Sequence, residues 1–213
     1  MQSKSEKFRQ QMLIYEADLI SKGYSLIAGV DEAGRGPLAG PVVAAAVLLD
    51  QNRIIPGIND SKKLTGSRRE FLYNEIMQNS SSFGIGIVHN DTIDRINILQ
   101  ASLKAMCMAI QNMLILPDYV LVDGNQLPDL DLPMKALIAG DSTSLSIAAA
   151  SILAKVTRDH IMLEYDRIYP QFGFGRNKGY PTPEHLKALK AFGPCEIHRR
   201  SFSPVSQLEI QLM

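Results

Sequence analysis

The sequence is poor in the residues that build disulfide frameworks and zinc centres. Of 213 residues only two are cysteine, Cys107 and Cys195, and the four histidines are scattered along the chain. Two cysteines cannot form a disulfide framework, so we expect free thiols in a reducing compartment. Because no His/Cys cluster has the spacing of zinc ligands, a zinc site of the usual kind is excluded.

The chain also has little that would suit a membrane. Its longest apolar run, Val42 to Leu49, is far shorter than a bilayer-spanning helix, and the first residues are polar, with no apolar core of a signal peptide. We therefore expect no membrane association and a cytoplasmic location. The content of 46% hydrophobic and 21% charged residues is typical of a globular chain and excludes a fibrous or disordered one. The length favours a single domain over residues 1–213.

The chain has no net charge, since 22 basic residues balance 22 acidic ones, but the charges are unevenly distributed. Five basic residues face one acidic residue over 53–69, and nine face five over 155–200. Over 91–141 seven acidic residues face three basic ones. Basic flanks around an acidic middle suit an anionic polymer that is held beside carboxylates. Solvated surface charge without a partner explains the pattern equally well.

Hydrophobic periodicity predicts an α/β fold in which helices pack on a mixed sheet. Strands are predicted over 26–30, 42–49, 83–89, 119–122 and 134–138. Helices are predicted over 6–21, from a Ser67–Glu70 capping box to about 78, over 96–114, over 144–168, and from Thr182 to Gly193. The glycine-rich basic stretch 173–179 is expected to be a loop. The first half of the 144–168 helix is rich in alanine and serine, which predicts a close approach by another backbone or a ligand.

Four acidic residues lie at the ends of predicted strands. Asp31 and Glu32 follow the first strand, Asp123 ends the fourth and Asp141 follows the fifth. Strand ends that meet at one sheet edge are where open α/β folds place their sites, and carboxylates crowded there must be protonated or bind a cation. All-oxygen ligands select Mg²⁺ or Mn²⁺, and two such ions would activate a water and stabilise the leaving oxygen of a phosphodiester. Turn-forming aspartates without a ligand are the alternative.

A short glycine motif, Gly34-Arg35-Gly36, directly follows the acidic pair. Its spacing to Gly40 departs from the dinucleotide fingerprint, and a strand rather than a helix follows it, which excludes a Rossmann site. The chain has no P-loop motif either. Glycines allow a polymer to come close to the backbone, and an arginine can hold a phosphate.

Three further residues have a chemistry that suits nucleic acid. Lys62 and Lys63 lie in a polar basic loop, and Tyr180 lies in a basic turn where its ring could stack on a sugar or base. A solvated loop and a packing tyrosine are the ordinary interpretations of such residues.

Seven motifs follow one another along nearly the whole chain. They are DEAGRGP at 31–37, DSKKL at 60–64, VDG at 122–124, GD at 140–141, SIAAASILAKVTRD at 146–159, GYPT at 179–182 and HRRSF at 198–202. In this order they resemble the ribonuclease HII family. The resemblance implies a ribonuclease H-like mixed five-stranded sheet flanked by helices. It also implies a helical C-terminal part, about 165–213, that contributes to substrate binding.

The resemblance further implies an endonuclease that cuts the RNA strand of RNA–DNA hybrids. Such an enzyme would also incise duplex DNA on the 5′ side of a single ribonucleotide, by two-metal-ion hydrolysis with Mn²⁺ or Mg²⁺, leaving 3′-hydroxyl and 5′-phosphate ends. By motif position, the catalytic metal ligands would be Asp31, Glu32, Asp123 and Asp141. The 2′-hydroxyl would be read by Gly34, Arg35 and Gly36, the junction sugar would be tested by Tyr180, and phosphates would be held by Lys62 and Lys63. Many family members have a basic residue where this chain has Thr143, so we expect no phosphate contact from that loop.

Other functions are compatible with the same residues. The sister ribonuclease HIII or a junction resolvase would use similar acidic chemistry, and a non-catalytic hybrid-binding protein would use the basic flanks alone. A glycosidase with two carboxylates would act without metal. A monomer is the default expectation, and the sequence leaves open the preferred metal, the preference between single ribonucleotides and long hybrids, and any contact with a replication clamp.

Overall fold

A computed structural model gives the structure of residues 10–50, 52–59 and 61–211. The side chains of Lys63 and of residues 209–211 lie outside this description. The start of the predicted N-terminal helix, at 6–9, and Asp60 of the basic loop also lie outside it. Over the described ranges, no helix combines the length and apolar character that a bilayer crossing requires.

The described residues form one mixed sheet of five strands, which confirms the predicted fold class. The strands are β1 (Ile27–Ala33), β2 (Val42–Leu49), β3 (Ser80–Val88), β4 (Tyr119–Asp123) and β5 (Met134–Leu137), in the spatial order β3-β2-β1-β4-β5. β1 pairs antiparallel with β2 and parallel with β4, which in turn pairs parallel with β5. The acidic strand β1 therefore lies at the centre of the sheet.

Helices cover both faces of the sheet and form a separate C-terminal group. They are α1 (Ile14–Ser21), α2 (Gly66–Asn79), α3 (Asn90–Gln111), α4 (Leu145–Ile168), α5 (Phe174–Asn177), α6 (Pro183–Phe192) and α7 (Val205–Gln211). α3 contributes to the core on one face, and α2 and α4 contribute to the core on the other. A third core joins the C-terminal segments to Leu38 and Ala39, just beyond β1. The predicted helical C-terminal part is confirmed.

The small residues of α4 allow it to approach β1 very closely. A Cβ atom added to Gly29 of β1 would lie only 2.1 Å from the carbonyl carbon of Ser146, so only glycine fits there. The alanines at 148–150 are fully buried against the sheet. The partner that the composition predicted is therefore the backbone of β1. This contact also brings Ser151 of α4 beside the carboxyl end of that strand.

Several predicted boundaries are wrong. α2 begins at Gly66, and its N-cap is Thr65, whose Oγ1 accepts a hydrogen bond from the N–H of Arg68 at 3.3 Å. The predicted capping box at 67 and 70 is therefore not formed, because the helix begins before it; Glu70 instead faces His160, at 3.0 Å. β3 begins three residues before the prediction. α3 begins at residue 90 and ends at 111, whereas the prediction was 96–114. Within it, Asn97 has a non-helical backbone with a φ of 65°.

The prediction that the stretch 173–179 is a loop is also partly wrong. Its residues 174–177 form the short helix α5. Phe174 is fully buried, and its ring stacks on that of Phe172 with centroids 5.3 Å apart. Burial of these two rings in the C-terminal core overrides the glycine content that suggested an irregular chain.

Candidate active site

The sheet register brings two of the predicted acidic residues side by side. In the parallel pair β1–β4, Val30 is opposite Val122, so Asp31 and Asp123 each lie one residue further, at the carboxyl ends of neighbouring strands. Asp141 is in a 3₁₀ turn that follows β5. The N–H of Gly140 in that turn donates to Oδ1 of Asp123 at 2.6 Å, which ties the third acidic segment to the second.

The acidic groups interact electrostatically because they lie close together, with Asp31 and Asp141 buried and Glu32 and Asp123 partly buried. Burial raises the pKa of Asp31 well above its usual range, and the carboxylates of Glu32 and Asp123 raise it further. Burial also raises the pKa of Glu32, although its hydrogen bond from Arg35 opposes this. The pKa of Asp123 is raised by burial and, more weakly, by Asp141. A cation placed among these groups would reverse the direction of all three shifts.

Donors of the chain itself occupy several of these carboxylates. Nη1 of Arg35 lies 3.1 Å from Oε1 of Glu32, and Nζ of Lys62 lies 3.2 Å from Oδ2 of Asp141. Within the ranges that the structure describes, no three acidic, histidine or cysteine side chains are grouped as a complete cage for a metal ion. The predicted set of four metal ligands therefore stays a prediction. The structure does place these residues near one another in pairs.

A cleft of about 350 Å³ opens at this edge of the sheet and collects most of the predicted site residues. Its lining includes Asp31, Glu32, Gly34, Arg35, Gly36, Lys62, Asp123 and Tyr180. Asp141 is 4% exposed and is connected to the cleft through its ion pair with Lys62. For Lys63, only the backbone is described, in a 3₁₀ turn over Ser61–Lys63. Tyr180 is 45% exposed, and its ring faces Gly36, where an added Cβ would lie 3.5 Å from the ring.

The cleft also contains residues to which the sequence assigned no role. They are Ser61, Arg69, Ser151, Lys155 and Arg158. Arg69 supports the lysine loop, since its Nη1 donates to the carbonyl oxygens of Ser61 and Leu64 at 2.8 and 2.6 Å. The hydroxyl oxygens of Ser151 and Ser61 are hydrogen-bonded at 2.9 Å. A hydrogen bond from the Ser151 side chain also lowers the pKa of Asp31. The repeated small residues of α4 were the one available signal, because they predicted a close contact on that helix.

A pair of buried histidines is hydrogen-bonded to the backbone of Tyr180. Nδ1 of His198 accepts from the N–H of Cys195 at 3.0 Å, so its proton is on Nε2, which is 3.0 Å from Nε2 of His185. Nδ1 of His185 then donates to the carbonyl oxygen of Tyr180 at 2.8 Å. The chain of bonds is complete only when both rings are neutral, and burial lowers the pKa of His198 to about 4.

We expect acid to weaken the fold through this pair. Because the pKa of His198 is lower in the folded chain than when unfolded, its stabilising effect is full above the unfolded value of 6.5 and is lost as the pH falls towards about 4. The loss is at most about 3 kcal/mol. It is measured by urea unfolding of the wild type and of His198→Asn from pH 7 to pH 4.5. The difference between the two proteins should shrink towards acid pH; a constant difference would contradict the prediction.

Comparison with known proteins gives a consistent family. The family model described as Ribonuclease HII matches residues 28–205. The chain is 54% identical over 187 residues to "Ribonuclease HII" of Caldicellulosiruptor saccharolyticus, covering 88% of this chain and 91% of that protein. Among solved structures, the ribonuclease H2 of Pyrococcus horikoshii OT3 is similar, with a TM-score of 0.74 and 28% identity over 88% of this chain and 98% of that one.

A second solved structure is the PCNA:RNase HII complex from Archaeoglobus fulgidus, with a TM-score of 0.67, 26% identity, and coverage of 84% of this chain and 96% of that one. The match of the family model extends from β1 to the start of α7, and so includes every acidic residue of the cleft. Since the chain shares 54% of its residues with the Caldicellulosiruptor saccharolyticus protein over 88% of its length, the two proteins are related. The chain therefore belongs to the ribonuclease HII family, and it is an endoribonuclease, a hydrolase that degrades the RNA of RNA–DNA hybrids.

Proposed function

We propose that this enzyme hydrolyses the RNA strand of hybrids and also incises duplex DNA on the 5′ side of a single ribonucleotide, leaving 3′-hydroxyl and 5′-phosphate ends. One observation carries the proposal. A single cleft combines the carboxylates of Asp31, Glu32 and Asp123 with the glycine loop at 34–36 and the half-exposed ring of Tyr180. Acidic residues supply the chemistry of phosphodiester hydrolysis, and a glycine loop beside an aromatic ring suits a sugar.

We propose that Asp31, Glu32, Asp123 and Asp141 hold the divalent cations. Their oxygen donors fit Mg²⁺ or Mn²⁺. Burial, and after it the neighbouring carboxylates, raise the pKa values of the first three, and a bound cation would oppose both effects. When bound, two such ions supply an activated water and stabilise the leaving oxygen. Bound metal ions would compete with Arg35 and Lys62 for the carboxylates of Glu32 and Asp141. The two basic side chains would then turn from the carboxylates towards the phosphates of the substrate.

We propose that the loop at 34–36 reads the ribose and that the lysine loop holds the backbone. The 2′-hydroxyl is the one group that marks a ribonucleotide in DNA, and backbone N–H groups beside glycines can reach it. The Lys62 side chain is 80% exposed, as a phosphate contact requires, and we assign the same role to Lys63. Tyr180 would pack on the sugar at the RNA–DNA junction.

The C-terminal part, about 165–213, is proposed to help bind substrate within one catalytic domain of residues 1–213. It supplies Tyr180, and the N–H of Leu38, beyond the glycine loop, donates to the carbonyl oxygen of Gly179 at 2.8 Å. A monomer is sufficient for this site. Because the Archaeoglobus fulgidus relative is solved with PCNA, a sliding clamp is the protein partner to test first.

The decisive experiment uses a DNA duplex with one embedded ribonucleotide. We expect incision on its 5′ side with Mg²⁺ or Mn²⁺, no incision in chelator, and recovery when metal is added back. The all-DNA duplex of the same sequence should stay intact. A long RNA–DNA hybrid, assayed in parallel, separates the two activities. Cleavage of the hybrid without incision at the single ribonucleotide would contradict the proposal, because the site would then require a longer RNA stretch.

A further inference from the structure

A buried arginine, Arg199, is hydrogen-bonded to the backbone of the loop that follows β1. Arg199 has no exposed surface. Its three guanidinium nitrogens donate to three backbone carbonyl oxygens, those of Gly40 at 3.0 Å, Arg35 at 2.9 Å and Gly34 at 2.5 Å. Two of these carbonyls belong to the glycine motif itself. The C-terminal segment thus reaches back across the fold to the proposed ribose-reading loop.

Peptide planarity connects these carbonyls to the cleft. The carbonyl of Gly34 and the N–H of Arg35 belong to one planar trans peptide and point in opposite directions, as do the carbonyl of Arg35 and the N–H of Gly36. An arginine that binds both carbonyls therefore turns both N–H groups away from itself. Over the described ranges, neither N–H donates in any backbone hydrogen bond of the turns and loops. Both residues line the cleft.

We propose that Arg199 is a positioning residue for ribose recognition. By binding the carbonyls of Gly34 and Arg35, it keeps two N–H groups rigid and available to the 2′-hydroxyl of the substrate. This role rests on the proposed function of the 34–36 loop. It requires a guanidinium, whose fixed fork of donors can serve three carbonyls at once, whereas an ammonium group acts as a compact point charge.

The test compares the wild type with Arg199→Lys, which keeps the charge. Binding is measured by fluorescence anisotropy for a duplex with one ribonucleotide and for the all-DNA duplex. Ca²⁺ replaces Mg²⁺, and a gel of each sample checks that no product forms. We expect the preference of the wild type for the ribonucleotide duplex to fall about tenfold in the variant, as the loss of aligned hydrogen bonds would cause. A loss of folded protein alone would lower both affinities and leave their ratio unchanged.

Arg158→Lys is the matched control. Arg158 is 1% exposed and also donates to three carbonyl oxygens, but these belong to Ala39, Pro41 and Lys178. We expect this variant to lose stability and to keep more of the preference than Arg199→Lys does, because Arg158 does not bind the carbonyl of Gly34 or of Arg35. The inference is overturned if Arg199→Lys keeps the full preference, or if both variants lose it equally. If the wild type has no preference, the proposed function itself fails, and the inference fails with it.

A measurement on the wild type covers the case in which Arg199→Lys does not fold. In ¹⁵N relaxation, the amides of Arg35 and Gly36 should be as rigid as those of β1, with order parameters of about 0.85. Both amides should nevertheless exchange with solvent faster than those of β1, because neither donates a backbone hydrogen bond in the part of the chain that the structure describes. Order parameters below about 0.6 would show that the carbonyls are not held, and would overturn the proposal.

Discussion

Asp31→Asn is expected to remove nearly all incision, by about 10³-fold or more, because loss of one of the four proposed charged ligands would forfeit several kcal/mol of transition-state stabilisation. Binding of hybrid should survive, since the residues proposed to hold phosphates are untouched. The measurement is single-turnover incision of the one-ribonucleotide duplex, together with anisotropy on the same duplex.

The same variant should not lose stability. Burial and neighbouring carboxylates raise the pKa of Asp31 in the folded chain, so its ionisation opposes folding above the unfolded pKa and costs nothing below it. Asparagine has no charge to bury, and its oxygen can still accept from the N–H of Glu32, as Oδ1 of Asp31 does at 2.7 Å. At pH 7 the variant should unfold at the same temperature as the wild type or a higher one.

Asp131→Asn is the control for this substitution. Asp131 is exposed in the segment between β4 and β5, so the same chemical change there should alter neither incision nor unfolding. If Asp31→Asn unfolds at a lower temperature and also fails to bind hybrid, the carboxylate has a structural role and the proposed metal site is wrong.

Gly34→Ala should have the second large effect, on both stability and activity. The φ angle of Gly34 is +99°, and an added Cβ would lie 2.1 Å from Nε of Arg158 and 2.7 Å from the carbonyl oxygen of Pro41. The left-handed backbone costs alanine about 1–2 kcal/mol, and overpacking adds about 1–3 kcal/mol. Since the loop must move to relieve the overlap, incision should fall by about 10²-fold.

Gly23→Ala provides a closely matched control. The φ angle of Gly23 is +98°, but nothing lies within 4 Å of the position of an added Cβ. Urea unfolding should therefore show only the backbone cost, and incision should not change. Equal losses of stability and activity in the two variants would contradict the view that the surroundings of Gly34, rather than its φ angle, hold the loop in place.

The position of Gly34 explains why a charged guanidinium can be buried beside it. Arg158 lies where a side chain at residue 34 would otherwise be. Both Arg158 and the neighbouring Arg199 use backbone carbonyls instead of carboxylates as partners. Buried guanidinium groups are tolerable only when their hydrogen bonds are satisfied. Gly34 and Arg158, which are far apart in the chain, thus depend on each other, because only a residue without a Cβ leaves room for the Arg158 side chain.

Much of the fold was predictable because local patterns and tertiary packing agree. All five strands were predicted along the chain, although not their spatial order in the sheet. The long helix over 144–168 was predicted to within one residue at its start. The errors lie where tertiary contacts override local signals. Thr65 caps α2 in place of the predicted Ser67, and the buried ring of Phe174 converts a glycine-rich stretch into a helical turn.

The sequence by itself determined the chemistry available to this protein: which strands end in carboxylates, where the glycine motif follows, and that helices flank a mixed sheet. These features are local, so residue spacing and strand periodicity reveal them. Only the tertiary structure decided which distant groups meet, such as Lys62 with Asp141 and Arg199 with the carbonyl of Gly34. Neither pairing leaves a local signal, because each depends on how segments far apart in the chain pack against the same edge of the sheet.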